Sequence, residues 1–361
     1  MVSAGAAHPL VAAQGVLQRA LAERAFPGAV VAAGRRSGET RVLASGRLTF
    51  APEAAAVAAS TVYDLASLTK VVVTTTIAMR LYDAGRLDLD QPACSWLPGL
   101  RSGAKAQITV AHLLQHSSGL AGWQPLFREI SGWDAYVERI SQIELAYAPG
   151  QQAVYSDLGF ILLGAILERV AGVAWSRLAS EWVLTPLGLR ETTYCPEAEW
   201  RPRVAPTEVC AWRGRLMHGE VHDENAFAMG GIAPHAGLFG TAADLARVAH
   251  LMLDEGVSGH GRLVTPATIA RFTRRAAIPG STRALGWDTP SEAGYSTAGA
   301  RMSRRVFGHT GFTGTSLWID PERGVFVILL SNRIHPKRDN EGIRWVRPAL
   351  ADAVLSDLEL D

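Results

Sequence analysis

The sequence predicts an α/β (α+β) sandwich: one antiparallel sheet, built from both ends of the chain and flanked by terminal helices, is interrupted by an inserted all-helical domain. Three observations support this fold class. Short β-branched runs lie near both termini, helical spacing of apolar residues fills the middle, and one helical pattern stands at each end. A chain of 361 residues has room for one large domain or two closely packed ones.

The N-terminal elements are predicted in the order helix, strand, strand. Residues 10–23 have apolar residues at helical spacing, and Pro27 and Gly28 end that helix before a strand-like run over 29–33. Residues 41–48 are predicted as the second strand. Both strands are expected to join a sheet that the C-terminal segment completes.

The C-terminal elements are predicted as a hairpin followed by a helix. Residues 315–319 and 325–331 are apolar and β-branched, and the Asp, Pro and Gly within 320–324 have turn chemistry. Apolar positions over 343–358 then repeat at helical spacing. This segment supplies the remaining strands and the second flanking helix.

The middle of the chain is predicted to be mainly helical. Helical spacing recurs in four segments separated by Gly- and Pro-rich loops: 161–170, 175–182, 242–253 and 266–272. We therefore assign residues 1–85 and 283–361 to an α/β domain and residues 86–282 to the inserted, mainly helical domain.

The charge balance argues against several classes of partner. The chain has 35 basic and 34 acidic residues, and a net charge of +1 offers no electrostatic footprint for nucleic acid or an anionic membrane. No apolar run is long enough for a membrane span. The N-terminus lacks the basic start of a secretory signal, so the chain as written is expected to be cytoplasmic, although a chain trimmed of its leader would read the same way. The oligomeric state is left open.

Cysteine and histidine spacing predicts no metal or cofactor. Cys94, Cys195 and Cys210 are odd in number and form no Cys-x-x-Cys pair, so they are expected to be buried, unreactive thiols. Two histidine pairs have i, i+4 spacing without a metalloprotease Glu and are interpreted as packing residues: His112 with His116, and His218 with His222.

Lysine is rare in this chain and stands out where it occurs. Only Lys70, Lys105 and Lys337 accompany 32 arginines. Lys70 follows Ser67 by three residues in apolar sequence, and residues at i and i+3 share a helix face. A lysine desolvated in this way has its pKa pushed down and can act as a base, which arginine cannot. Ser67 and Lys70 are therefore a candidate nucleophile and base.

Two alternatives weaken that motif when it is taken alone. Ser102 and Lys105 have the same spacing, but they stand in a polar, Gly-containing stretch and are interpreted as part of a solvated loop. The run over 71–77 is β-branched, and local propensity favours a strand there rather than a helix over 67–84.

Two further motifs are candidate site segments. Tyr155-Ser156-Asp157 precedes a predicted helix, where Asp157 alone would be an ordinary N-cap. The segment 308–312 (Gly-His-Thr-Gly-Phe) leads into the C-terminal strands, and its glycines permit close approach of a backbone to a ligand. The chain has no Gly-x-Ser-x-Gly elbow, no phosphate-binding loop and no dinucleotide fingerprint after a strand.

Taken in order, the three motifs resemble the signature of the serine penicillin-recognising hydrolases. The match is to the class C β-lactamase-like branch, which includes low-molecular-weight penicillin-binding proteins, D-amino-acid peptidases and esterases. It covers residues 26–332 and includes the segments 85–92, 112–120 and 237–245. The resemblance implies a β-lactamase/transpeptidase-like fold, an active-site cleft between the two domains, and a nucleophile at the start of a central helix.

The resemblance also implies roles for individual residues. Ser67 would attack a carbonyl carbon, while Lys70 and Tyr155 would together remove its proton and return one to the leaving group. The backbone N–H groups of Ser67 and Phe312 would form the oxyanion hole. The expected partner is a small acyl substrate, and no cofactor is implied.

The substrate-binding residues implied by the resemblance are Asp157, His309, Thr310 and Gly311. Asp157 stands where the family usually has Asn, and an ionised carboxylate has no donor. His309 replaces the usual Lys by a group with an ordinary pKa of about 6.5, mostly neutral at pH 7. Both changes disfavour carboxylate-bearing β-lactams and stem peptides. We therefore expect an esterase- or amidase-like hydrolase; the alternatives are a β-lactamase, D,D-carboxypeptidase or D-aminopeptidase, and a non-catalytic penicillin-binding or sensor module.

Overall fold

The computed structural model describes residues 9–36 and 38–359. Its strands are β1 Gly28–Arg35, β2 Arg41–Gly46, β3 Tyr63–Asp64, β4 Thr193–Tyr194, β5 Val209–Cys210, β6 Arg215–Leu216, β7 Leu238–Gly240, β8 Val257–Ser258, β9 Gly261–Arg262, β10 Phe307–Thr310, β11 Ser316–Asp320 and β12 Val325–Ser331. Its α-helices are α1 Val11–Ala22, α2 Thr76–Asp83, α3 Val110–Leu114, α4 Trp133–Gln142, α5 Asp157–Ala171, α6 Trp175–Ala179, α7 Glu224–Ala228, α8 Ala242–Leu253, α9 Pro266–Thr273 and α10 Ile343–Asp357. Shorter helical turns are π-helical at Lys70–Thr75 and Ser180–Leu184, and 3₁₀ at Ala93–Ser95, Pro98–Leu100, Gly103–Gln107, Leu126–Arg128 and Ala198–Arg203.

A five-stranded sheet in the order β10-β11-β12-β1-β2 joins the two ends of the chain. Every neighbouring pair is antiparallel; Val31, for example, pairs with Leu329 on one side and Leu43 on the other. The predicted antiparallel sheet built from N- and C-terminal segments is thus confirmed. The second strand ends at Gly46, earlier than the predicted residue 48. Gly46 has a φ of +86°, and a Cβ there would lie 2.4 Å from Pro27 O, so only glycine fits this position.

Helices cover both faces of the sheet. On one face α1 and α10 pack against each other and against Ala29, Val31 and Ala33 of β1. On the other face Val30 and Ala32 join the main core, where α8 crosses β1, β11 and β12. A strand covered on both faces reads as a continuous apolar run, which is the pattern of β1.

The helical region lies between β2 and β10 in sequence. This stretch contains α2 to α9, the strand pairs β5-β6 and β8-β9, and the three-stranded sheet β3-β7-β4. Although α8 belongs to this stretch of sequence, it packs on the five-stranded sheet. The predicted domain boundaries at residues 85 and 283 stay a prediction.

The β-branched run over 71–77, for which the sequence left helix and strand open, lies in a central helix formed by residues 70–83. Its first turn and a half, Lys70–Thr75, is π-helical and continues as α2. Val71, Val72 and Val73 are fully buried in the main core, so tertiary packing outweighs the strand propensity of this β-branched run. π-Helical turns of this kind often mark functional sites.

Two expectations about single side chains were wrong. Lys105 is buried rather than solvated, because the turn that carries it packs near α4: its Nζ donates to Ser141 O at 3.2 Å and lies 3.6 Å from Glu144. Among the cysteines only Cys210 is buried, while Cys94 is half-buried and Cys195 is exposed in a loop.

No single helix of the described residues is long and apolar enough to cross a membrane. The pair Asp157–Ala171 and Trp175–Leu184 reaches the required length and composition only when taken together, and a bend of 83° separates its two halves.

The pairing of β1 with β12 predicts a measurable stability contribution. Replacing Leu329, which is 1% exposed between the sheet and the terminal helices, by Ala should lower the free energy of unfolding by about 2–5 kcal/mol. Urea denaturation followed by circular dichroism measures this loss. Val42→Ala on β2, where the side chain is 40% exposed, is the control and should change it by less than about 0.5 kcal/mol. Equal effects of the two substitutions would contradict the assigned burial.

Candidate active site

Ser67 lies in a sharp turn immediately before the central helix. Ala66 has a φ of +47°, a left-handed conformation rare for a residue with a side chain. Asp64 braces this turn: its Oδ1 accepts a hydrogen bond from the Ala66 N–H at 2.8 Å, and its Oδ2 accepts one from the His222 N–H at 2.7 Å. The strained turn leaves Ser67 partly exposed at the wall of a cavity.

Lys70 extends from the first turn of the central helix to Ser67. Its Nζ donates to Ser67 Oγ at 3.0 Å and to His235 O at 2.8 Å. An ion pair with Asp157 Oδ1 has an N–O separation of 2.6 Å. The lysine side chain is fully buried, so each of these partners compensates for lost hydration.

The charge state of Lys70 differs from the sequence-based expectation. Burial acts to lower the pKa of Lys70, but the negative charge of Asp157 outweighs it, with Tyr155 acting in the same direction, and the pKa is raised above its ordinary value. The expectation of a depressed lysine pKa was therefore wrong: the sequence showed the apolar surroundings and not the counterion. In the resting protein Lys70 is an ammonium group.

Tyr155 stands beside both groups. Lys70 Nζ lies 5.0 Å from the centroid of the Tyr155 ring. Burial raises the pKa of Tyr155, as does the charge of Asp157, whereas the interactions of the phenol with Lys70 and Ser67 oppose this rise. The net effect is a raised pKa, so Tyr155 is a neutral phenol at pH 7.

The Tyr-Ser-Asp motif folds differently from its N-cap interpretation. Ser156, not Asp157, caps α5: its Oγ accepts from the Gly159 N–H at 3.1 Å and donates to Ala121 O at 2.7 Å. The alternative interpretation of Asp157 as an ordinary cap was wrong because the serine one residue earlier takes this role. Asp157 becomes the first helical residue, and its carboxylate pairs with Lys70 instead.

His116 holds the motif in place from behind. Its Nδ1 accepts a hydrogen bond from the Ser156 N–H at 3.0 Å, and its ring packs against Tyr155 and Phe160 at centroid distances of 4.6 and 4.9 Å. Burial, assisted by nearby cations, holds the pKa of His116 well below its usual range. A packing role, as predicted from the sequence, fits these contacts.

His309 lies on β10 with its ring 5.8 Å from that of Tyr155. Its Nδ1 is 2.8 Å from Thr310 O and must donate, because a carbonyl oxygen only accepts. Burial, followed by the charges of Arg283 and Lys70, holds the pKa of His309 well below its usual range. His309 is neutral at pH 7, and the other ring nitrogen is left as an acceptor.

The backbone around Gly311 brings the third motif against the nucleophile turn. A side chain at Gly311 would collide with Thr315 Oγ1 at 2.0 Å and Leu65 O at 2.6 Å, so only glycine permits this approach. Phe312, next in sequence, lines the same cavity as Ser67. Among the described residues, neither the Ser67 nor the Phe312 backbone N–H makes a hydrogen bond, so both are available to an oxyanion.

The cavity beside Ser67 has a volume of about 330 Å³. Of the predicted site residues, it brings together Ser67, Tyr155, Asp157 and Phe312, while Lys70, His309, Thr310 and Gly311 lie outside its lining. The sequence analysis did not predict the other residues of the cavity wall: Ala66, Trp123, His222, Asp223, Glu224, His235, Ala236 and Arg338. The cluster of titratable residues His-Asp-Glu at 222–224 is the feature of the sequence that could have indicated them. Among the described residues, no group of three or more His, Cys, Asp or Glu side chains is placed to hold a metal ion.

Charged side chains fix part of the cavity wall. Arg338 contacts Glu208 Oε2 at 2.6 Å and Glu224 Oε1 at 2.7 Å, and His222 Nε2 lies 2.7 Å from Glu208 Oε2. Burial would raise the pKa of Glu208, but His222 and Arg338 outweigh it and hold the pKa at about 2. These bonds join the 208–224 loop to the segment after β12.

Arg283 supplies a permanent cation that no motif indicated. Its guanidinium carbon lies 5.0 Å from the centroid of the Tyr155 ring, and Nη1 is 3.6 Å from Asp288 Oδ2. Burial is the main cause of the lowered pKa of His309, and the charge of Arg283 is the second. The site thus has a fixed positive charge beside the neutral His309, where the sequence alone suggested none.

A Ser–Lys–Tyr cluster with a buried lysine beside a small cavity, between an antiparallel sheet and a helical region, defines a serine hydrolase. The family model described as Beta-lactamase matches residues 13–351, and the chain belongs to this family. A Salmonella heidelberg (strain SL476) protein named as a candidate D-alanyl-D-alanine carboxypeptidase is 32% identical over 304 residues, which cover 76% of this chain and 70% of the relative.

Solved structures share the whole fold. The hydrolase EstCE1, titled as having promiscuous acyltransferase activity, superposes with a TM-score of 0.77 at 24% identity, covering 96% of this chain and 98% of that one. A class C β-lactamase from Rhodobacter sphaeroides gives a TM-score of 0.74 at 19% identity, covering 96% and 99%. At these identities the likeness shows the fold, and the predicted β-lactamase/transpeptidase-like fold is confirmed.

The Lys70–Asp157 pair predicts a pH effect of known sign. In Asp157→Asn the carboxylate that raises the pKa of Lys70 is lost, so Lys70 gives up its proton at lower pH. If free-base Lys70 is needed, the rising limb of kcat/KM against pH moves to lower pH. Glu144→Gln removes the partner of another lysine, Lys105, and should leave this limb in place. A limb that stays put or moves upward in Asp157→Asn contradicts the assignment.

Proposed function

We propose that the chain hydrolyses a small ester or amide through an acyl-enzyme on Ser67. The observation that carries this proposal is the placement of Ser67 Oγ, 3.0 Å from the Lys70 ammonium nitrogen and at the wall of a cavity of about 330 Å³. A serine hydroxyl is a weak nucleophile until a neighbouring base takes its proton, and Lys70 can act as that base once it has lost its own proton.

In the proposed reaction Ser67 Oγ attacks the substrate carbonyl carbon. Its proton passes to the Lys70–Tyr155 pair after that pair has lost one proton to solvent, and one proton then reaches the leaving alcohol or amine as the carbonyl–leaving-group bond breaks. The negative oxygen of the tetrahedral intermediate accepts hydrogen bonds from the Ser67 and Phe312 N–H groups. Water then attacks the Ser67 ester by the reverse proton path, which releases the acid and restores the serine.

The protonation states of Lys70 and Tyr155 in the resting site determine how activity depends on pH. Lys70 is held as an ammonium by Asp157, and Tyr155 is held as a phenol by burial. Either group becomes a base only after losing a proton, and both pKa values are raised above their ordinary values. Activity is therefore expected to rise as the pH moves from neutral into the alkaline range, measured as kcat/KM for p-nitrophenyl acetate. A profile that falls over this range would contradict the proposal.

The cavity favours a small, uncharged acyl group. Trp123 and Phe312 offer apolar surface at its wall, while His309, which stands in the usual place of a carboxylate-attracting lysine, is neutral. Carboxylate recognition at that position is correspondingly weak. These features support an esterase or amidase acting on small substrates.

A D,D-carboxypeptidase is a second candidate because of one observation. Arg283 places a permanent charge next to Tyr155 and His309, where it could receive the terminal carboxylate of a peptide. The candidate D-alanyl-D-alanine carboxypeptidase among the relatives is consistent with this function. The two candidates differ in whether Arg283 contributes to turnover.

Trapping the acyl-enzyme tests the nucleophile. After reaction with a fluorophosphonate or a penicillin, peptide mass spectrometry should find the adduct on Ser67, and Ser67→Ala should lose both the adduct and roughly a thousandfold or more in ester turnover. Ser102→Ala, from the other Ser-x-x-Lys pair, is the matched control and should keep both. Labelling that persists in Ser67→Ala, or a single stoichiometric burst without steady turnover, would contradict a hydrolase acting through Ser67.

A substrate panel separates the two candidates. Simple esters such as p-nitrophenyl acetate are expected to be hydrolysed faster than nitrocefin or D-Ala-D-Ala peptides. Arg283→Gln should leave the KM for the uncharged ester unchanged and raise the KM for any carboxylate-bearing substrate by roughly tenfold or more. Faster turnover of the peptide than of the ester, lost in Arg283→Gln, would replace the esterase assignment by the carboxypeptidase.

A further inference from the structure

A second concave surface lies away from Ser67 and is lined by arginine. It encloses about 510 Å³ between the C-terminal end of α9, the residues that lead into β10 and the turn between β11 and β12. Its lining contains five arginines and no acidic residue: Arg271, Arg274, Arg275, Arg304 and Arg305. We call this surface the arginine groove.

Four of these guanidinium groups have no partner. Arg275 is bonded to Thr289 and Glu292, at 2.8 and 2.9 Å. Within the described part of the chain, no hydrogen bond or ion pair involves the side chains of the other four, Arg271, Arg274, Arg304 and Arg305. Arg271 is half-buried and the other three are exposed, so water and salt screen their mutual repulsion and all four guanidinium groups are open to an anion.

Ordinary structural roles account for only part of the arrangement. Cations near the C-terminal end of a helix interact favourably with its dipole, which accounts for Arg271 and Arg274 on and after α9. Arg304 and Arg305 belong to no helix and gain nothing from that dipole. Their convergence on the same groove calls for a separate reason.

The backbone that carries Arg304 and Arg305 is rigidly held. Asp320, fully buried, accepts hydrogen bonds from the Ser303 N–H at 2.6 Å and from Ser303 Oγ at 2.7 Å. The same carboxylate accepts from the Glu322 N–H at 3.1 Å, in the β11–β12 turn. The two walls of the groove are thus pinned together, and a ligand would meet a preorganised backbone.

We propose that the arginine groove binds a compact ligand that carries two or more phosphate groups. Guanidinium groups pair bidentately with phosphate oxygens, and four unpaired ones match the charge of a di- or triphosphate. A long polyanion fits less well: once the five groove arginines are set aside, 30 basic residues face 34 acidic ones over the rest of the chain. Alanine, valine and proline in the lining leave room for an apolar part of the ligand.

Titration calorimetry with sodium tripolyphosphate at about 150 mM salt tests the proposal. We expect saturable 1:1 binding to the full chain that weakens roughly tenfold or more in Arg271→Gln/Arg304→Gln. The matched control is Arg101→Gln/Arg201→Gln, which removes two exposed arginines outside the groove and should bind like the wild type. Unchanged urea midpoints and p-nitrophenyl acetate turnover in both variants show that the fold and the Ser67 site are intact.

Two further probes identify the source of the phosphate groups. Cosedimentation with cardiolipin vesicles, lost in the groove variant, supports a lipid headgroup, whereas tripolyphosphate binding without vesicle binding supports a soluble ligand. The proposal is overturned if neither probe binds, if the groove variant binds as well as the control, or if sulfate at equal ionic strength competes fully. Tighter binding of a single-stranded oligonucleotide than of tripolyphosphate would also overturn it.

Discussion

The buried ion pair between Lys70 and Asp157 is the interaction on which the rest of the site depends. A lysine with no exposed surface loses several kcal/mol of hydration unless a counterion and hydrogen bonds replace the water. Asp157 provides the charge, while Ser67 Oγ and His235 O accept the remaining protons of the ammonium group. One side chain therefore ties together the central helix, the start of α5 and the loop before β7.

The residues around this ion pair are arranged by the same need to replace lost hydration with hydrogen bonds and opposite charges. Ser156 takes over the helix cap, which leaves the Asp157 carboxylate for Lys70, and His116 fixes the backbone of that turn. Across the cavity, Glu208 and Arg338 compensate each other in a similar way. The Lys70–Asp157 and Glu208–Arg338 pairs each hold their charges in place by mutual contact.

The sequence predicted what depends on local pattern. Apolar periodicity located four of the five strands of the sheet, all but β10, and the terminal helices, and short-range spacing located Ser67, Lys70 and Tyr155. It did not locate Arg283 or Arg338, because each reaches the site from a loop distant in sequence and stands among many other arginines. Local propensity also favoured a strand for residues 71–77, where complete burial imposes a helix, and it missed the burial of Lys105. The direction of the Lys70 pKa could not be read either, since it is set by a partner 87 positions away.

The charge state of Lys70 is the central claim, and the scarcity of lysine makes it directly measurable. With three lysines in the chain, selective ¹³C labelling at Cε gives three resonances that can be followed against pH, and Lys70→Arg assigns the one that disappears. The account predicts that Lys70 titrates above the ordinary lysine pKa of about 10.4. A Lys70 resonance that titrates below this ordinary value would contradict it, because burial would then outweigh the Asp157 charge.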